Sequence, residues 1–218
     1  MTFYYSKYQK IGQFTCLAVF ILGMIYAATT LLGFLSLKSP AEPIGNPYFT
    51  IMEVLTILIA PLMAISMVAV HAYASPVDKI YSLAALLFMC LMTGITSSVH
   101  FIMLTGSQQA QVAQHADFRF FFSFKWISVA YALDILAWDW FFALSFLLAS
   151  FVFKSSREEK LLQKVMMISS ILSLAGLMGV PLNNMQIRNI GILGYAGIAP
   201  FAFLWIGKIL GQPKAPVS

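Results

Sequence analysis

Six long apolar runs dominate this chain of 218 residues, lying at about 13–35, 48–73, 80–104, 127–153, 161–182 and 189–210. Each is long enough to carry a helix across hydrocarbon, which takes about 20 residues at 1.5 Å rise per residue. A water-soluble core has no room for so much apolar side chain, whereas a bilayer accepts it on the outside of a bundle. The runs show no alternation of period two, which excludes a membrane β-barrel. The sequence therefore predicts an all-α, polytopic integral membrane protein with six transmembrane helices. With only 10% charged residues, little is left for a soluble domain, and residues 1–218 read as a single transmembrane domain.

Turn signals separate the runs. Pro40, Pro43, Gly45 and Pro47 break the first connection, Ser75-Pro76 the second, and Asn183-Asn184 marks a tight turn before the last run. Lys7 and Lys10 precede the first run in the manner of a secretory signal, but that run is too long for one, so an uncleaved first span is expected.

Lysine and arginine set the expected orientation. With the N-terminus in the cytoplasm, that side receives Lys7, Lys10, Lys79, Lys154, Arg157, Lys160, Lys164, Lys208 and Lys214, and the other receives Lys38, Arg119, Lys125 and Arg188. Nine against four predicts a multi-pass protein of the plasma (inner) membrane with both termini cytoplasmic. The same placement accounts for the net charge of +5 without nucleic acid, for which no basic recognition element exists. The expected partners are membrane lipids, a lipophilic small molecule, and a further copy or subunit docked helix to helix.

Between the third and fourth runs, residues 115–126 read HADFRFFFSFKW. This stretch is too short to span. Its aromatic and basic residues suit a short interfacial segment in the outer headgroup region, or a lid over an outward-facing pocket. Pro61 and Pro200 lie mid-run and each removes a backbone hydrogen bond. Gly176 and Gly179 in the fifth run, and Gly191, Gly194 and Gly197 in the sixth, predict close helix packing. Cys16 and Cys90 both lie in apolar runs with no metal-ligand or redox spacing. The two halves of the chain show no internal repeat.

Ionisable groups inside apolar runs cost about 2.5–3.5 kcal/mol each at a helix centre and often mark function. Here they are Glu53, His100, Asp134 and Asp139. Given the expected topology, Glu53, His100 and Asp134 all fall about 5–10 Å below the outer boundary, each on a different helix. Asp139 lies about 7.5 Å deeper and, on an ideal α-helix, about 140° round from Asp134. Arg188, Asn183, Asn184, Tyr26, Thr29, Thr30, Tyr131, Trp138 and Trp140 are near the same level, as are Thr93, Thr96, Ser97 and Ser98 on the third span.

A polar pocket in the outer half is the expectation, with Asp134, Glu53 and His100 as candidate catalytic residues and Asp139 beneath them. General acid–base chemistry on a lipophilic molecule fits a buried carboxyl beside a second titratable group. A metal, if one binds, would take Glu53, His100 and Asp134, though their spacing is not diagnostic. No cofactor is indicated. Two other classes remain open: a small proton- or cation-coupled transporter using Asp139, and a structural or assembly subunit whose polar residues only hold helices together.

Overall fold

The structure, a computed structural model, describes residues 2–39, 42, 44–106 and 120–212. These residues are helical apart from their connections and contain no strand. Six helices are long and apolar enough to cross a membrane. They are α1 (Thr2–Leu35), α2 (Tyr48–Tyr73), α3 (Lys79–Gly106), α4 (Val129–Ser150), α5 (Arg157–Gly179) and α6 (Met185–Leu210).

Helix ends differ from the limits of the apolar runs where polar caps extend or trim them. The α5 helix starts at Arg157 because the Ser156 hydroxyl accepts the Glu159 backbone N–H at 3.1 Å. Its charged first turn is invisible to a search for apolar residues. In the same way Asn184 caps α6, accepting from the Gln186 N–H at 3.0 Å, and Ser128 caps α4, accepting from the Tyr131 N–H at 3.1 Å.

The helices form a ring in chain order. Each packs on the next, and α6 closes the circle against α1. Small polar side chains bond across successive pairs. Ser66 donates to Thr15 Oγ1 at 3.0 Å between α2 and α1, and Thr93 to the Ala60 carbonyl at 2.9 Å between α3 and α2. Ser145 donates to the Ala85 carbonyl at 2.7 Å between α4 and α3, and Ser169 to the Gly194 carbonyl at 2.9 Å between α5 and α6. In a bilayer, where apolar burial gives little preference for one neighbour over lipid, bonds of this kind join helices. Between α5 and α6 the backbones themselves meet, since a Cβ on Gly176 would lie 2.8 Å from the Gly191 Cα. Large apolar side chains line the outside instead, among them Phe14, Leu31, Leu58, Leu87 and Phe201.

One end of the ring carries both chain ends, with the Gln9 side chain donating to the Gln212 carbonyl at 3.5 Å. It is fastened by polar contacts. Tyr73 donates to Glu159 at 2.6 Å, and Lys154 pairs with Asp78, also at 2.6 Å. Phe153 stacks on Tyr73 at this end, 6.0 Å between centroids, and above it Phe142, Phe146 and Phe203 form a fully buried aromatic cluster. Phe142 and Phe146 stack at 4.9 Å between centroids, and Phe146 meets Phe203 at 5.3 Å.

Two helices are locally wider than an α-helix. Leu136–Phe142 in α4 and Leu193–Ile198 in α6 are π-helical. The second ends two residues before Pro200, whose missing N–H already prevents regular α bonding at that point.

Of the stretch 115–126, residues 115–119 lie outside the described residues. Phe120 and Phe121 are exposed, while Phe122 and Phe124 pack against Val99, Met103 and Ala130. Trp126 donates its indole N–H to Asn183 at 3.0 Å, tying this connection to the turn between α5 and α6.

Candidate functional site

Four helices bring ionisable side chains into one unbroken chain of contacts. Glu53 sits in the second turn of α2, His100 in the last two turns of α3, Asp134 in the second turn of α4 and Arg188 in the first turn of α6. Because neighbouring helices run in opposite directions, positions near alternate ends fall at one height. Glu53 Oε2 lies 2.9 Å from His100 Nδ1. On the other edge of the imidazole, His100 Nε2 lies 3.4 Å from Asp134 Oδ1. Arg188 then donates from a terminal nitrogen to Asp134 Oδ2 at 3.2 Å. Its Nε is 3.4 Å from Asp139 Oδ2. All five residues are buried.

Aromatic rings enclose the cationic members. The Arg188 guanidinium lies 5.1 Å from the centroid of the Tyr131 ring and 5.8 Å from that of Tyr195. Cation–π attraction of this kind strengthens when water is excluded. The His100 ring is 5.3 Å from that of Phe124, in the connection before α4. Tyr195 belongs to the π-helical stretch of α6, so local widening positions one of the two rings beside Arg188.

The placement of Asp139 corrects the helical-wheel expectation. Ideal α geometry turns it about 140° from Asp134, which would deny both carboxylates a common partner. The π-helical stretch that starts after Ile135 has bonds reaching five residues rather than four. Its wider turn brings position 139 back toward the face of Asp134, and Arg188 reaches both. Asp139 is fully buried, and neither of its oxygens has a hydrogen bond among the described residues. One of them is wedged between Gly176 and Gly191, where a Cβ on Gly191 would collide with it.

A cavity of about 860 Å³ opens beside this chain, at the end of the bundle opposite the chain ends. Glu53, His100, Asp134 and Arg188 form its polar wall. Helices α1, α2, α3, α4 and α6 contribute to it, with Glu42, Ile44, Gly45 and Asn46 of one connection and residues 122–125 of another at its mouth. Its deeper part is apolar, ending among Val19, Ile59, Met63 and Pro200. Phe142 adjoins the lining rings of Trp138 and Tyr195 and continues through Phe146 to Phe203.

Among the other residues expected at this height, Tyr26, Thr30, Tyr131 and Trp138 line the cavity. Others do not. Thr29 donates to its own helix at Ile25, Thr93 bonds the Ala60 carbonyl, Ser98 is exposed, and Trp140 faces outward at 43% exposure. Asn183 and Asn184 serve the turn and cap already described. Sequence reasoning gave Gly191 and Tyr195 no part in the site. Gly191 passed as helix-packing glycine, and nothing in the sequence distinguishes that use from making room for a carboxylate.

The geometry does not gather ligands round one metal position. His100 holds Glu53 and Asp134 at opposite edges of its ring, and among the described residues no three His, Cys, Asp or Glu side chains converge in a metal-binding group. The arrangement instead suits proton movement. An imidazole flanked by carboxylates can accept a proton on one nitrogen and release one from the other. No protein-family model, curated protein or solved structure matches this chain.

Proposed function

We propose that this protein spans a membrane and binds a lipophilic small molecule in the 860 Å³ cavity, where Glu53, His100 and Asp134 provide acid–base groups. The observation that carries the reading is the cavity's division into one ionisable wall and an apolar remainder. Ligand sites of this kind are mostly apolar, with a few polar groups fixing orientation. Beside these acid–base groups, Arg188 pairs with both Asp134 and Asp139.

A transporter needs access to the opposite end of the bundle. Phe146, Phe153 and Phe203 are fully buried toward that end, which favours binding or conversion at a one-sided site. A purely structural subunit has no use for a cavity of this size beside its ion pairs. By the distribution of Lys and Arg, the cavity faces away from the cytoplasm.

Solvent extraction of the purified protein, followed by mass spectrometry, tests the proposal. A lipophilic compound enriched over bulk membrane lipid is expected from the wild type. Ala196→Trp, which puts a large ring into the cavity wall, should remove it. Equal yields from a folded Ala196→Trp variant and the wild type would sink the reading.

A further inference from the structure

The polar wall carries more acid than base. Glu53, Asp134 and Asp139 supply three carboxyls, against one guanidinium from Arg188 and one imidazole from His100. Even with His100 protonated, the five groups in their charged forms leave one negative charge uncompensated. An unpaired buried charge is strongly disfavoured in a low-dielectric interior, so a further positive charge belongs in or beside this group.

At the mouth Lys125 and Glu42 also line the cavity and offset one another in charge, and the two cations of the polar wall are already engaged. Arg188 meets Asp134 and Asp139, and its guanidinium lies over the rings of Tyr131 and Tyr195. His100 meets a carboxylate at each nitrogen. The unengaged group is an acceptor. Glu53 uses Oε2 on His100, no described residue takes its Oε1, and the side chain lines the cavity. Only 4% of Glu53 is exposed.

Depth sets the shape of the occupant. From Glu53 to Met63, at the apolar end, α2 advances ten residues, about 15 Å. Aromatic rings of Tyr26, Tyr131, Trp138 and Tyr195 line the walls between. Aromatic faces beside a carboxylate favour a cation over an anion.

We infer that the cavity takes a lipophilic amine in its protonated form, its ammonium donating to Glu53 near the mouth and its apolar body reaching down to Met63. This inference rests on the proposal that the cavity binds a lipophile at all.

A matched series separates the two. Dodecylamine, dodecanol and dodecanoate share one tail and differ in the head. Their binding is measured by equilibrium dialysis to the full-length protein in nanodiscs, with empty nanodiscs subtracted. The amine is expected to bind about tenfold more tightly than the alcohol or the carboxylate. Glu53→Gln should abolish the difference between amine and alcohol, and Glu53→Asp should keep it. Equal binding of amine and alcohol to the wild type overturns the inference and assigns the missing charge to a proton, while lipophile binding stands. Preference for dodecanoate also overturns it. If none of the three binds beyond empty nanodiscs, the lipophile reading itself fails. The wild-type comparison decides the matter even where a Glu53 variant does not fold.

Discussion

The carboxylate of Asp139 occupies the space that a side chain on Gly191 would fill. The absence of a Cβ at residue 191 is therefore what lets a buried acid on α4 settle against α6 and reach Arg188. Gly191→Ala should push Asp139 off its partner and lower the thermal midpoint. Adding Asp139→Ala to Gly191→Ala should recover part of that loss, because the truncated side chain vacates the contested space. Contacting residues of this kind are strongly non-additive, with couplings of about 0.5–3 kcal/mol. Simple addition of the two losses would show that the wedge is not what makes Gly191 necessary.

Arg188 is the cation for two buried acids. Its replacement by Met should destabilise the bundle by about 3–5 kcal/mol, the usual result of stranding a buried charge. Unfolding in a denaturing detergent measures this. Arg188→Lys should rescue poorly, because an ammonium cannot present Nε and a terminal nitrogen to Asp134 and Asp139 as a rigid fork. A triple variant with Asp134→Asn, Asp139→Asn and Arg188→Met should be more stable than Arg188→Met alone, since it leaves no unpaired charge.

Glu53 and His100 should behave as a unit. Their 2.9 Å contact joins α2 to α3 within the polar wall. In a double-mutant cycle with Glu53→Gln and His100→Asn, the combined loss of stability should fall short of the sum of the single losses by about 0.5–3 kcal/mol. Strict additivity would mean the two side chains are neighbours without energetic coupling.

Orientation is open to a labelling experiment. In a background with Cys16 and Cys90 replaced, a cysteine at Lys125, at the cavity mouth, should react with a membrane-impermeant thiol reagent added outside intact cells. A cysteine at Arg157, on the end with the chain termini, should react only after lysis. The reverse pattern would invert the proposed topology and turn the cavity toward the cytoplasm.

Much of the helical architecture was legible because long apolar runs leave few alternatives to six helices. The approximate heights of Glu53, His100 and Asp134 were legible too, since rise per residue converts sequence position into depth. Helix ends were less so, because caps such as Ser156 and Asn184 are polar and lie outside any apolar run. The relation of Asp139 to Asp134 was not legible. It depends on a change of helical pitch after Ile135, and no residue type in that stretch announces a π-helix. In α6 Pro200 gives a partial signal, but a proline kink and a π-helical stretch leave the same mark in sequence.

The closure of the ring by α6 against α1 has a bearing on how the chain matures. During synthesis the first four helices emerge with Asp134 and Asp139 in place and no arginine to meet them. Until the sixth helix packs, the nascent bundle has a gap in its circumference, Asp134 has only His100 beside it, and Asp139 lacks Arg188. The arrival of Arg188 both seals the gap and gives the two acids a shared cationic partner, so in the proposed membrane setting chains halted before the sixth helix should be targets for quality control.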